Sequence, residues 1–508
     1  MAKPLFKAYL QSQAFLIPPS LDELIAANHP VRVVNEVIEG LDLDILIKKY
    51  KGGGATSYHP RMLLKVLVFG YLSNIYSSRR MEAALKENIH FMWLAGMSTP
   101  DHHTINRFRS ERLRNILRDI FVQVVKHLVE SGHVSLKEVY TDGTKIESVA
   151  NRYSFVWGNA IKTSKERIKK QLTELWRYTQ KLAKEEMGDD MPPDFTDIDK
   201  EKVKQTIEKI NEVLKDKEVP ADVKQKLSYA AKHWPAKLEQ YEQQQKVLGT
   251  RNSYSKQDPE ATFMRMKEDH MKNGQLKPGY NAQISTTNQF VVNYSLHQNP
   301  TDTKTLIPHV EQHKAMYGEV PQVQVADAGY GSEENYQYLQ QHGVEAYIKH
   351  NYFDKEQKRN YTPKQPFAPE HLYYNSAEDL YICPMGQHMK RVGEHEEKTE
   401  AGFTKTYHHY QAKNCNGCPL RGVCHKQKGN RLIKVCRSGI KLRKQATERL
   451  RTEQGIYYRK KRCWDVEPVF ANIKQNKNFK RFMLKGLDKT EIEWGLLCLA
   501  HNLGKLAA

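Results

Sequence analysis

Two segments far apart in the chain share one design, and that design restricts the fold more than any other feature. In VYTDGTKIES, Val139–Ser148, an aspartate sits inside a short β-like run and is followed by glycine. In VQVADAGYGSEENY, Asp327 ends an alternating apolar run and leads into Ala-Gly-Tyr-Gly-Ser and a helical stretch. Strands avoid Asp and Gly because neither packs well on a pleated surface. Taken alone, Asp142 reads as a strand end running into an Asp-Gly turn. Taken as a pair, Asp142 and Asp327 read as carboxylates mounted on rigid strands, as a site requires.

The surrounding pattern supplies the rest of a sheet. PGYNAQISTTNQFVVNYSLHQNP reads as strand, turn at Thr287-Asn288, strand, and TDTKTLIPHVEQHKAMYG reads as a helix. The Asp327 segment then continues as helix and strand. The order β, β, β, α, β, α, β predicts an α/β core around a mixed sheet. Residues 155–255 interrupt it with apolar residues at helical spacing (Ile168, Leu172, Leu175; Val203, Ile207, Ile210), joined by loops at MGDDMPPDF and KDKEVPAD. This is a two- or three-helix insertion. Residues 1–135 read as helical. Within them Ser98-Thr99-Pro100-Asp101 is a helix-start signal, and the following turns carry His102, His103, Asn106, Arg107 and Arg109. That suits a helix-turn-helix reader of DNA or a plain helical bundle with a polar face.

Charge narrows the partner. The 508 residues carry a net charge of +20, which favours a polyanion. Between Arg431 and Gly486 there are 17 Lys and Arg against 4 Asp and Glu, interleaved with Tyr457, Tyr458, Trp464, Phe470, Phe479 and Phe482. Phosphate contact and base stacking need that mixture. No apolar run approaches the ~20 residues of a membrane span, and the N-terminal stretch lacks the apolar core of a secretory signal. The expected setting is the cytosol.

A third carboxylate lies in CWDVEPVFANIKQNKNF, where Glu467, Phe470, Ile473 and Lys474 fall at helical spacing. Asp465 competes with it; Glu147 is expected to point away. Two strand aspartates and one helix glutamate can converge on a pair of Mg²⁺ ions, which take oxygen ligands and assist phosphoryl transfer. The seven cysteines are a separate matter. An odd count in a large cytosolic chain argues against a disulfide framework. Cys383, Cys415, Cys418 and Cys424 suggest a structural tetrahedral Zn²⁺, with His388 and His425 as alternative ligands, or else reduced core thiols.

The motifs YHPRMLLKVLVFGYL, PDHHTINRFR, YTDGTKIES, PGYNAQ, NPTDTKTLIPHV, VADAGYGS, the cysteine segment and VEPVFANIKQNKNF occur in an order that resembles the DDE-type insertion-sequence transposases. The likeness is to the cut-and-paste group with a Tyr-Arg-Glu-Lys signature and a ribonuclease-H-like core. It implies catalytic, Mg²⁺-holding Asp142, Asp327 and Glu467 (Mn²⁺ substituting), with Lys474 as the signature lysine. The family's Tyr and Arg spacing falls on Lys460 and Cys463, where this sequence offers Tyr458, Arg459 and Arg462 nearby. Tyr458, Arg459, Arg462, Lys474, Arg107 and Arg109 are the expected DNA contacts. The implied division is a helical DNA-binding region at 1–135, a catalytic core from 136–154, 256–350 and 451–508, and insertions at 155–255 and 351–450. The implied activity is binding of terminal inverted repeats, cleavage at the element ends and joining of 3′-OH ends to target DNA. The implied partners are double-stranded DNA and a second copy in the DNA complex, at a prokaryotic nucleoid. A related metal-dependent nuclease and a catalytically inactive DNA-binding derivative are the alternatives. The intact acidic triad argues against the second.

Overall fold

The structure, a computed structural model, describes residues 19–50, 56–183, 195, 197–266, 274–363, 365–399 and 402–508. Most of the N-terminal stretch and most of the MGDDMPPDF loop lie outside the described residues.

Two His-Pro pairs start the first long helices, α1 (Pro30–Glu39) and α2 (Pro60–Leu72). In each, the histidine ring accepts a hydrogen bond from the backbone N–H two residues on, at 3.1 Å for His29 and 3.3 Å for His59. The proline needs no N–H in the first turn. Helices α3 (Ser78–Glu87), α4 (His102–Arg107) and α5 (Leu117–Glu130) follow. Strand β1 (Glu138–Glu147) opens the sheet. The helices α6 (Gly158–Leu182), α7 (Lys200–Val213) and α8 (Ala221–Leu248) then pack around their own core, including Leu172, Trp176, Ile207, Ile210 and Leu238.

The sheet resumes with β2 (Thr262–Arg265), β3 (Leu276–Thr287) and β4 (Phe290–His297), followed by α9 (Leu306–Tyr317), β5 (Val323–Ala326), α10 (Glu333–Gln341) and β6 (Glu345–Ile348). One edge of β3 pairs with β1; the other pairs with β2 and β4. The order continues β1-β5-β6. Pairings around β3 are antiparallel, while β1–β5 and β5–β6 are parallel. This is the expected mixed sheet with helices. Side chains of the parallel strands alternate between faces. Val323, Val325 and Tyr347 join the core beneath the N-terminal helices, while Ala326, Ala346 and Ile348 join one under α9 and α10.

The cysteine segment is more regular than its loop-like sequence suggests. Strands β7 (Tyr373–Asn375), β8 (Leu380–Ile382), β9 (His388–Lys398), β10 (Thr404–Ala412) and β11 (Leu432–Val435) form an antiparallel sheet. The chain closes with α11 (Arg437–Arg451), α12 (Glu453–Asp465), α13 (Glu467–Ala471) and α14 (Leu487–Leu506). Helix α14 is buried along most of its length and joins the N-terminal helices to β4 in one continuous core. At its centre the Gly495 backbone lies against the Tyr294 hydroxyl, closer than any side chain would allow. No described helix is long and apolar enough to cross a membrane.

A buried polar chain crosses the sheet beside β1. Gln324 donates to Thr141 at 2.7 Å, Thr141 meets Ser285 at 2.6 Å, and Ser285 meets His309 Nε2 at 2.9 Å. His309 Nδ1 then meets Ser295 at 2.7 Å, and Ser295 meets His297 at 2.7 Å. Burial holds His309 well below the usual imidazole range, and lowers His297, His313 and His501 to about 4. These rings are neutral when folded and gain protons on unfolding below about pH 6.5. Stability therefore falls as pH drops from 7.5 to 5.5, by roughly 1.4 kcal/mol per pH unit for each such ring once below that value. Burial raises Glu491 and Glu493, which act oppositely and only nearer their own range. His313 has no hydrogen-bond partner at either ring nitrogen. The urea midpoint of His313→Leu should therefore drop less between pH 7.5 and 5.5 than that of the wild type.

Candidate active site

Register brings the two strand aspartates together. On β1 and β5 the last paired residues are Thr141 and Ala326. Asp142 and Asp327 come next, side by side at the ends of neighbouring parallel strands whose spacing is about 4.8 Å. Asp142 is buried, and its Oδ1 accepts the Gly143 N–H at 2.7 Å. Gly143 answers a packing need: any Cβ there would overlap the Gln283 amide on β3. Asp327 caps the turn Ala328–Tyr330, its Oδ1 accepting the Gly329 N–H at 2.8 Å. Beneath them, the fully buried Tyr330 hydroxyl donates to Gln283 Oε1. Burial raises the Tyr330 hydroxyl well above the usual phenol range, and nearby Asp142, Asp302 and Asp327 push the same way.

The C-terminal helices supply the other side. Arg462 on α12 reaches Asp142 Oδ2 with Nη1 at 3.3 Å and Glu467 Oε1 with Nη2 at 3.7 Å. Its guanidinium thus bridges a strand carboxylate and a helix carboxylate, while the Glu467 side chain is 59% exposed. Pro468 at the start of α13 provides no N–H, so the helix restarts at Glu467. Lys474 lies in a π-turn, Asn472–Asn476, which widens the helix and alters the face expected from simple spacing. The far end of that turn is tied to the N-terminal region: Asn74 Nδ2 donates to the Asn476 carbonyl at 3.2 Å and Tyr76 to the Lys477 carbonyl at 2.5 Å.

Three expected site residues have other employment. Arg109 is 3% exposed and donates to Tyr71 at 3.1 Å and the Tyr76 carbonyl at 2.8 Å, 3.7 Å from the buried Glu493. It holds helices together and is not a DNA contact. Tyr458 is 3% exposed, flanked by Tyr140 and Tyr347, and donates to Glu138 at 3.0 Å. Its neighbour Tyr457 is the outward tyrosine. Asp465, the rival third carboxylate, accepts the backbone N–H groups of Asn288 at 2.8 Å and Gln289 at 3.1 Å. Both turn residues have left-handed φ, 52° and 63°, so Asp465 pins the β3–β4 hairpin. Arg459 lies over the Phe353 ring, 5.1 Å from its centroid. Arg107 is exposed and pairs with Glu111 at 3.2 Å. The expected recognition helix is only the six-residue α4, which runs into a π-turn at Phe108–Arg112.

Among the described residues, no three carboxylates, imidazoles or thiols converge closely enough to form a ready metal cage. At the aspartates the donor chemistry nevertheless suits a hard cation: oxygen ligands on rigid strands, already bridged by a guanidinium. The cysteines fit less well. Cys383 Sγ accepts the Gln387 N–H at 3.2 Å, Cys415 Sγ the Arg431 N–H at 3.4 Å, and Cys424 Sγ the Arg431 guanidinium at 2.9 Å. Cys415 also packs with Met389, Tyr410 and Ile433.

The spacing around Glu467 does not point to the outward face of α12. Tyr457, Lys460, Lys461 and Trp464 recur there at helical intervals, with the Lys461 ammonium 5.6 Å from the Tyr457 ring centroid and Trp464 75% exposed. A second acid near the aspartates, Asp302, also escaped the motif reading. Its only sequence signal is its place in a polar turn after a strand.

Asp465→Asn should destabilise the protein by about 1–3 kcal/mol, because an amide cannot accept both turn N–H groups and one buried donor loses its partner. Thermal unfolding compared with Asp488→Asn, an exposed acid paired with Arg114, measures the difference.

Two family comparisons cover the ends of this arrangement. The family described as transposase DDE domain matches residues 382–507, from the cysteine sheet through Glu467 to α14. The family described as transposase domain (DUF772) matches residues 19–111, the N-terminal helices. No curated protein and no solved structure matches the chain. With one transposase domain at each end of a single continuous core, the chain belongs to the DDE-type insertion-sequence transposases.

Proposed function

We propose that this transposase binds the terminal inverted repeats of its element, cuts DNA at the element ends and joins the resulting 3′-OH ends to target DNA. The observation that supports this most directly is the pairing of Asp142 with Asp327 across β1 and β5, with Glu467 reached through Arg462. Two divalent ions held by Asp142, Asp327 and Glu467 would activate water or a 3′-hydroxyl and stabilise the leaving oxygen. Asp142 and Asp327 are rigid, each with one oxygen fixed by a backbone N–H. Glu467 is exposed and close enough to swing in. Arg462 neutralises the carboxylates of the DNA-free protein, and on release its fork can pair with a phosphate. Lys474 lies one π-turn further on.

The basic and aromatic face of α12 supports a role in gripping the DNA end. Phosphates suit Lys460 and Lys461, and an exposed indole offers a stacking surface for an unpaired base. Trp464→Ala should weaken binding to DNA with a frayed or nicked end by about 1–3 kcal/mol and leave intact duplex binding nearly unchanged. Equal loss on both substrates, measured by fluorescence anisotropy, would assign Trp464 to the fold instead. A structural Zn²⁺ on Cys383, Cys415, Cys418 and Cys424 would have to draw thiols from their present donors. Metal analysis of protein purified without chelator decides between about one zinc per chain and reduced thiols.

Asp142→Asn, Asp327→Asn and Glu467→Gln should each reduce cleavage and joining at least about a hundredfold and leave binding to the repeat ends intact. Mn²⁺ should replace Mg²⁺ in the wild type. The assay is metal-dependent nicking of labelled DNA carrying the inverted repeats that flank the coding region. Cleavage by Asp142→Asn at the wild-type rate would remove the strand pair from the chemistry. Cleavage without any joined product would leave a nuclease.

A further inference from the structure

The turn after β4 brings a fourth carboxylate to the strand aspartates. Asp302 opens a short 3₁₀ turn, Asp302–Lys304. Its Oδ1 accepts Asn281 Nδ2 at 2.7 Å and Gln283 Nε2 at 3.2 Å. Both amides are on β3 and have no exposed surface. Gln283 is itself fixed, because its Oε1 takes the Tyr330 hydroxyl and its Nε2 also meets Asn281 Oδ1 at 2.9 Å. The turn is then stitched to the loop that follows Asp327. Thr303 Oγ1 donates to the Gly329 carbonyl at 2.9 Å, and Asn335 Nδ2 donates to the carbonyls of Thr303 at 3.0 Å and Tyr330 at 2.7 Å.

Gly329 marks the space between the two acids. A Cβ built on it would meet Asp327 Oδ1 at 3.0 Å and Asp302 Oδ2 at 3.3 Å. Two carboxylates therefore flank a volume that only a hydrogen leaves open. Like charges so placed repel, yet buried amides and backbone bonds hold each in position. A cation between them would turn that repulsion into attraction. On the far side of Asp142, Arg462 already plays that part for Asp142 and Glu467.

We propose that Asp302 is an additional carboxylate of the divalent-ion site, sharing with Asp327 an ion seated beside Gly329, and that Asn281, Gln283 and Tyr330 are its positioning residues. This rests on the reading of Asp142, Asp327 and Glu467 as a metal-dependent centre for phosphoryl transfer. Asp302 then fixes where the ion on the Asp327 strand sits, and Gly329 is required because a methyl group would occupy that place.

The test uses the full chain without DNA and Mn²⁺ as the probe, followed by calorimetry or electron paramagnetic resonance. Asp302→Asn and Gly329→Ala should each weaken Mn²⁺ binding at least tenfold with unchanged circular dichroism. Each should raise the Mg²⁺ concentration for half-maximal nicking more than it lowers the rate at saturating Mg²⁺. Gly329 has no left-handed φ, so alanine fits its backbone. It keeps both carboxylates, and it decides the question should Asp302→Asn fail to fold. Wild-type Mn²⁺ affinity in Gly329→Ala, or in a folded Asp302→Asn, overturns the inference. If Asp327→Asn still loses the ion in that case, the wider reading of the site stands. If Asp327→Asn also binds Mn²⁺ like the wild type, the wider reading fails with it.

Discussion

Everything at the candidate active site depends on the register between β1 and β5. A parallel pair aligned Thr141 to Ala326 puts Asp142 and Asp327 in adjacent positions. A slip of one residue would send one of them to the opposite face. The register is held from both sides. Val323, Val325 and Tyr140 are committed to one core and Ala326 to the other, while the Gln324–Thr141–Ser285–His309 chain fixes the polar positions. A buried polar chain tolerates no slip, because each member would lose its partner at once. The geometry of the acids is thus a by-product of packing several residues away.

The ends of the chain are joined by similar means. Tyr71 and Arg109 from the N-terminal helices meet Glu493 on α14, which also accepts the backbone N–H groups of Met483 and Leu484 at 2.8 Å each. Breaking such a buried pair strands a charge, so the pairing is demanding even where its net stabilisation is small. The N-terminal helices and α14 consequently share one core with β3 and β4. Whatever the N-terminal helices bind is therefore mechanically close to the strand aspartates.

Charge on α12 is divided by face. The inward residues Tyr458, Arg462 and Asp465 hold the helix against β1 and the β3–β4 hairpin, while Tyr457, Lys460, Lys461 and Trp464 look outward. A helix places neighbours in sequence about 100° apart, so two adjacent tyrosines have unrelated roles. Composition identified this stretch as basic and aromatic but was blind to that division.

The sequence by itself determined the mixed sheet, its helical interruption and the strand–Asp–Gly pair, because alternation and glycine punctuation are local signals that survive without a partner. It also marked Glu467 and the basic C-terminal stretch. Only the tertiary structure decided which polar residues are free to act. Arg109, Tyr458 and Asp465 looked functional because they are polar or basic beside a motif, and they proved to be taken up by Glu493, Glu138 and a hairpin turn from distant parts of the chain. Asp302 looked like an ordinary turn residue, and became a neighbour of Asp327 through amides on β3. Whether a buried polar group is occupied depends on which other donors and acceptors the fold brings within about 3 Å of it, and those partners come from elements that no local pattern connects.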